Sequence, residues 1–228
     1  MKFLGTIEKY LESSKFFIDV GSQKGFYVKT AKENMKEGLI YYFEPRDEMI
    51  NKEYTDEIIE KNISIKKFTC ALSHINGKIK LYKDTIGSNI KPNRPYKKVD
   101  TYTLDNILKK KELIPDTIKI DIEGGEYYML MGAKNLIKKG KTNFFIEIHE
   151  EYLRKENISV NDVLNLFDDN IYEKIILFYV DGLPKDHTII TNEELQLLKD
   201  SNKYECPVKD DGKYRKTRII YYHIKPKL

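Results

Sequence analysis

The stretch from Phe16 to Ala31, FFIDVGSQKGFYVKTA, constrains the fold more than any other part of the chain. Apolar and β-branched residues broken only by Asp19 run into Gly21, and helical spacing resumes by Phe26, which predicts a buried strand, a tight turn and a helix start. Such a turn brings backbone close to a ligand and aims helix N–H groups at it. Ser22 is the natural N-cap for that helix, because its hydroxyl can accept a free N–H of the first turn. Asp19 and the turn would stand at the carboxyl end of a first strand, where open α/β sheets bind nucleotides.

Glycine placement narrows the ligand. A dinucleotide fingerprint beginning at Gly21 wants glycines at positions 23 and 26, but Gln23 and Phe26 stand there, which argues against a pyrophosphate. Gly38 and the run Leu39 to Phe43 then predict a second strand, ending at Glu44-Pro45. A carboxylate at that strand end is placed to accept hydrogen bonds from two ribose hydroxyls. The ligand implied is an adenosine without a pyrophosphate.

The rest of the chain alternates strands with helices, which predicts one α/β domain over residues 1–228 with a doubly wound, mostly parallel sheet of seven main strands. Ile7 to Ser13 reads as a short helix, Arg46 to Lys61 as a surface helix and Ile63 to Phe68 as a third strand near a sheet edge. Ala71 to Tyr82 reads as an inserted hairpin turning at Asn76-Gly77. Lys83 to Lys98 reads as a loop carrying Lys91, Arg94, Lys97 and Lys98 against Asp84; it is either a cationic lid or a solvated charge run. Val99 to Thr103 is a strand and the next helix runs to Lys111. Thr117 to Asp121 is a second fully buried strand. It leads through Ile122-Glu123-Gly124-Gly125-Glu126 into a helix burying Met129, Leu130, Ala133, Leu136 and Ile137, which Gly140 closes. Phe144 to His149 is the fifth parallel strand, and Ser159 with Asp162 reads as a capping box. Glu173 to Val180 and Arg218 to Ile224 supply the last two main strands, with a helix over Asn192 to Lys199.

Composition excludes more than it assigns. With 40 Lys and Arg against 36 Asp and Glu in 228 residues, the net charge of +4 is too small to imply nucleic acid. Residues 203–228 hold eight basic side chains against three acids, a surplus read as a substrate or partner face or, more commonly, as Lys guarding an exposed strand edge. Cys70 and Cys206 lie far apart without metal-type spacing, so buried free thiols in a reducing compartment are expected. Neither a signal peptide nor a membrane span is visible, and the chain reads as cytoplasmic.

Taken together, IDVGSQKGFY, YYFEP, CALSHINGKIKLY, VDTYTLDNIL, IKIDIEGGEYYMLMGAKNLI and FFIEIHE, in this order and spacing, resemble the FkbM-type S-adenosylmethionine-dependent methyltransferases. The resemblance covers Phe16 to Glu150 and departs at Gln23-Lys24, where that family usually carries Asn and a small or apolar residue. It implies a Rossmann-like methyltransferase sheet whose last strand runs antiparallel, and S-adenosyl-L-methionine as cofactor. Asp19, Gly21, Gln23 and Gly25 would line the methionine end, Glu44 the ribose, and Cys70 and Ala71 the adenine. Asp121 and Glu123 fall in the family's Asp-x-Glu-Gly-x-Glu signature, where Asp121 can also meet the methionine amino group.

The acceptor must be aligned with the methyl group and, if it is a hydroxyl, must lose its proton. His149 is the candidate base because its ordinary pKa is near neutral, and Glu147, two residues earlier on the same strand face, can orient it or hold the acceptor. Asp121, Glu123, Glu147 and His149 could also ligate Mg or Mn; the residues are read without assigning a metal. O-methylation of a sugar, glycan precursor or small metabolite is the reading favoured. Two alternatives stay open. A nucleic-acid methyltransferase draws support from the basic loop and 17 tyrosines, but no Asn-Pro-Pro-aromatic or Asp-Pro-Pro-Tyr motif follows the fourth strand. The other is a non-catalytic cofactor-binding scaffold.

Overall fold

A computed structural model of the chain describes residues 2–55, 62–82, 95–109, 113–180, 208–210, 213–215 and 219–227. Its centre is a seven-stranded sheet of β1 (Phe16–Val20), β2 (Gly38–Phe43), β3 (Ile63–Phe68), β7 (Thr117–Ile120), β8 (Asn143–His149), β9 (Tyr172–Val180) and β12 (Ile219–Pro226). The strand order is β3-β2-β1-β7-β8-β12-β9. Pairings from β3 through β8 are parallel, and β12 runs antiparallel to both β8 and β9. This is the doubly wound seven-stranded sheet read from the strand-helix alternation. Its order reverses at β1 and β7, the place where open α/β sheets bind ligands.

Period 2 along each strand divides the core in two. Ile18, Val20, Ile118, Ile120, Phe144, Ile146 and Ile148 face one layer. There they meet α4 (Leu104–Lys109), α5 (Glu126–Met131), α6 (Lys134–Lys138), α7 (Glu150–Lys155) and α8 (Val160–Leu164) through residues such as Leu104, Met129, Leu136, Leu153 and Val163. Phe17, Ile40, Tyr42 and Phe145 face the other layer, where Ile7 and Leu11 of α1 (Lys2–Leu11) and Val28 and Ala31 of α2 (Phe26–Asn34) cover them. The capping box at Ser159 and Asp162 forms as read, with both reciprocal hydrogen bonds present.

Several local expectations are corrected. The helix predicted from Arg46 starts later: Asp47–Met49 is a single 3-10 turn and α3 (Lys52–Thr55) follows, because the Arg46 N–H and guanidinium are drawn back onto Glu44. The inserted hairpin is instead a three-stranded sheet. β4 (Ala71–Leu72) and β5 (Gly77–Tyr82) do not pair with each other; both pair with β6 (Tyr96–Tyr102), β4 in parallel and β5 antiparallel. Lys97 and Lys98, read as loop, therefore belong to a strand. Residues 83–94 of the expected lid, the helix predicted at 192–199 and Cys206 lie outside the described residues. Two short strands not anticipated, β10 (Val208–Asp210) and β11 (Lys213–Arg215), pair with each other. β12 is interior to the sheet, so its one lysine, Lys225, guards no edge; it pairs with Glu173 at 3.0 Å. The edge expected at β3 is present, with Lys66 and Lys67 exposed along it.

The single helix predicted after Asp121 is two helices broken at Gly132-Ala133. A Cβ on Gly132 would lie 2.0 Å from the Ser73 carbonyl oxygen, and the Gly132 carbonyl accepts the Asp105 N–H. The Asp105 carboxylate in turn accepts the Asn135 and Leu136 N–H groups at 2.9 and 3.0 Å, capping α6 from a different helix. Replacing Asp105 by Ala should cost about 1–2 kcal/mol of stability, seen as a lower urea midpoint at unchanged slope.

Candidate active site

The turn after β1 is built on positive backbone angles at Gly21 (φ +77°), Gln23 (+45°) and Gly25 (+89°). Gly25, not Ser22, is the N-cap residue of α2 and makes no side-chain cap bond; the Ser22 hydroxyl turns to the Phe43 carbonyl instead. The Gly21 and Ser22 N–H groups donate to that same carbonyl, at 3.0 and 3.2 Å, tying the turn to the end of β2. A Cβ on Gly21 would stand 1.9 Å from the Asp121 carbonyl oxygen, so glycine is required both for φ and for contact between the turns after β1 and β7.

Glu44 follows β2 and is 1 % exposed. Its Oε2 accepts the Gln23 N–H at 3.0 Å, and Oε1 accepts the Arg46 N–H at 3.0 Å and the Arg46 Nε–H at 3.1 Å. The acid read as a ribose ligand thus stands beside the glycine turn and also braces it. Cys70 lies in the main core, where burial pushes its thiol up to about 11, and Ala71 packs with Leu81 and Val99. Neither joins the charged group described next.

Strand register sets Asp19, Lys119, Asp121 and Glu147 on one face across β1, β7 and β8. Lys119 is buried, with Nζ 3.6 Å from Asp19, 3.3 Å from Asp121 and 4.6 Å from the centre of the Tyr27 ring. Both Asp19 oxygens are buried without a hydrogen bond among the described residues. Desolvation outweighs Lys119 there and pushes the Asp19 carboxyl up to about 6. Lys119 resists desolvation because Asp121 and Asp19 hold it charged, above the usual lysine range.

His149 ends β8, 5 % exposed. Its Nδ1 lies 2.8 Å from Glu126 Oε1, and that same oxygen accepts the Gly124 N–H at 3.0 Å. The opposite nitrogen, Nε2, faces three carboxylates: Glu147 at 3.6 Å, Asp121 at 3.8 Å and Glu123 at 4.0 Å. Glu123 reaches this position from a left-handed backbone (φ +54°), a conformation that costs about 1 kcal/mol in a non-glycine residue. Tyr221 of β12 donates its hydroxyl to Glu147 at 2.9 Å. Desolvation and the neighbouring Asp121 push Glu147 up to about 7, and desolvation foremost also raises Glu123. Desolvation opposes a charge on His149, but the hydrogen bond to Glu126 with its charge, and those of Asp121 and Glu123, prevail and push it up to about 9.

The fold therefore brings together Asp121, Glu123, Glu147 and His149, and sets Asp19, Gly21 and Asp121 at the switch point. Asp121, Glu123 and His149 offer ligand atoms within 4.8 Å of one another, a mixed oxygen and imidazole set. Sequence reasoning missed Lys119 and Tyr221, and it underweighted Glu126. A Lys inside an otherwise apolar buried strand was the available signal for the first; the other two depend on tertiary proximity. A separate cleft of about 580 Å³ beside α4 and α6, lined by Asn76, Asn106, Lys109, Asn135 and Lys139, shares no residue with this group.

A family model for the methyltransferase FkbM domain matches residues 19–174. Among solved structures, the methyltransferase FkbM from Methylobacillus flagellatus is similar at 18% identity and a TM-score of 0.48, over 92% of this chain and 44% of that one. This chain thus spans under half of that protein. An rRNA methylase from Streptococcus thermophilus is similar at 8% identity and a TM-score of 0.50, over 99% and 97% of the two chains. A putative methyltransferase from Streptococcus mutans, in complex with SAH, is similar at 9% identity and a TM-score of 0.48, over 98% of each. No curated protein sequence matches the chain.

The buried charges make stability depend on pH. His149 has a folded pKa above its ordinary value of 6.5, so its contribution is complete below about pH 6.5 and is lost as pH rises through about 9. The raised Asp19 and Glu147 act in the same sense between about pH 4 and 7. The urea midpoint should fall from pH 6.5 to 9.5 by the equivalent of at most about 3 kcal/mol. His149→Gln should flatten that limb.

Proposed function

Since the chain belongs to the FkbM methyltransferase domain family, we propose that it is an S-adenosylmethionine-dependent O-methyltransferase acting on a hydroxyl of a sugar, glycan precursor or other small metabolite. The observation that carries the reading is the convergence, at the carboxyl ends of β1, β7 and β8, of a glycine turn, a buried carboxylate without hydrogen bonds, and an imidazole nitrogen facing acids.

The residues present suit the cofactor. Asp19, with both oxygens unbonded beside Gly21, is a receptor for a cationic amino group at the methionine end, shared with Asp121. Gln23 and Gly25 complete that wall, and Glu44 reaches the ribose hydroxyls with the lone pairs left by Gln23 and Arg46. The absence of glycines at positions 23 and 26 disfavours a dinucleotide. Cys70 and Ala71 are assigned to the adenine side by position after β3.

S-adenosylmethionine held by Asp19, Gly21, Gln23, Gly25 and Glu44 would supply an electrophilic methyl group on a positively charged sulfur. Glu147, Asp121 and Glu123 would hold the acceptor hydroxyl beside His149 Nε2. His149 Nε2 takes the acceptor hydroxyl proton, leaving the oxygen as the nucleophile for the methyl group that the cofactor would supply. The resulting imidazolium is stabilised by Glu126 on one side and by the three carboxylates on the other.

Calorimetric titration with S-adenosylhomocysteine and with NAD tests the cofactor half. The first should bind and the second should not, and Glu44→Ala should weaken S-adenosylhomocysteine about ten- to a hundredfold, corresponding to about 1.5–3 kcal/mol. Absence of any S-adenosylhomocysteine binding would sink the assignment.

A further inference from the structure

Glu126 is fully buried at the start of α5, on a segment that otherwise contributes apolar side chains to the core. One of its oxygens, Oε1, receives two hydrogen bonds: from the Gly124 N–H at 3.0 Å and from His149 Nδ1 at 2.8 Å. An oxygen that already accepts a backbone N–H serves the imidazole as an acceptor too, so Nδ1 carries the hydrogen and Nε2 is left with the lone pair when the ring is neutral. Gly124 itself sits at φ +97°, with Tyr152 packed where a Cβ would go. The acceptor oxygen is thereby fixed from the backbone side, independently of the histidine.

We propose that Glu126 is a positioning residue of this site: its buried carboxylate fixes the tautomer and ring orientation of His149 so that Nε2 presents its lone pair to the acceptor hydroxyl. The role rests on the O-methyltransferase reading above and adds a residue that touches neither cofactor nor acceptor. It also explains why a carboxylate is buried where a neutral cap would serve α5 as well. As the proton arrives at Nε2, the ring becomes a cation whose Nδ1–H already points at a full negative charge, so no group has to move to receive it.

The charged and titratable groups facing His149 are Asp121 and Glu123 from the loop after β7, Glu126 from α5 and Glu147 from β8, with the Tyr152 ring of α7 centred 6.1 Å away. Among the described residues Glu126 alone bonds Nδ1; the others lie on the Nε2 side. Its removal therefore has a signature distinct from theirs.

The chain has four histidines, so long-range proton–nitrogen correlation spectra of protein labelled with nitrogen-15 in histidine resolve His149, assigned by its loss in His149→Asn. The wild type should titrate near 9 with the hydrogen of the neutral ring on Nδ1. Glu126→Gln, which keeps shape and an acceptor for Gly124, should lower that midpoint by about one unit or more while leaving S-adenosylhomocysteine affinity within about twofold. A neutral ring protonated on Nε2 in the wild type, or a midpoint unmoved in a folded Glu126→Gln, would overturn the proposal and leave Glu126 as a brace for the loop. The tautomer is read on the wild type alone, so the proposal stays decidable even if the variant fails to fold. Loss of S-adenosylhomocysteine binding in the wild type would instead remove the methyltransferase premise, with the tautomer still measured.

Discussion

The turns after β1 and β7 meet backbone to backbone at Gly21 and the Asp121 carbonyl, and the rest of the site depends on that contact. Any side chain at position 21 would separate the turns, since a Cβ there would lie 1.9 Å from the oxygen. Because they touch, the glycine turn after β1 and the acidic loop after β7 are a single surface. Asp121 also donates its N–H to the Val20 carbonyl, so the parallel ladder continues one residue past the strands and holds the two loops in register.

Packing five carboxylates at these strand ends demands positive charge, and the chain supplies it from within the sheet. Lys119 rises from the middle of β7 between Asp19 and Asp121, and His149 closes β8 between Glu126 and the outer three acids. Each cation touches acids from more than one element, so neither pair separates without exposing another buried charge. The arrangement is polarised: Lys119 neutralises the side nearest the glycine turn, while His149, whose charge is titratable, neutralises the acids at the end of β8.

How much of this was legible in the sequence followed the range of the interactions. β1, β7 and β8 are buried on both faces and read as near-continuous apolar runs, so strand positions and the placement of Asp19, Asp121, Glu147 and His149 at their ends came out directly. The capping box at Ser159 is local and was equally readable. The break at Gly132 was not, because its cause is the Ser73 carbonyl, distant in sequence. The strand exchange that gives β4 and β5 a common partner in β6 was hidden by the Asn76-Gly77 pair, a strong hairpin signal overridden by longer-range pairing. Ser22 has the chemistry of an N-cap, yet the turn passes through Gly25 in the left-handed region and spends the serine hydroxyl on β2. Glu126 looked like one more acid of a loop; only the tertiary approach of β8 makes it a histidine partner.

The position of β12 bears on how the molecule acquires its shape. Ile219–Pro226 lies between β8 and β9, so the outer flank of β8, with Glu147 and His149, has no ladder partner until a segment made some seventy residues later arrives. Long-range pairing of this kind is slow, and it leaves an aggregation-prone strand flank uncovered in the meantime. The β1–β2 side of the sheet pairs within residues 16–43, whereas the β8 flank waits for residues 219–224. The charged cluster around Glu147 and His149 thus acquires its strand support only when β12 inserts.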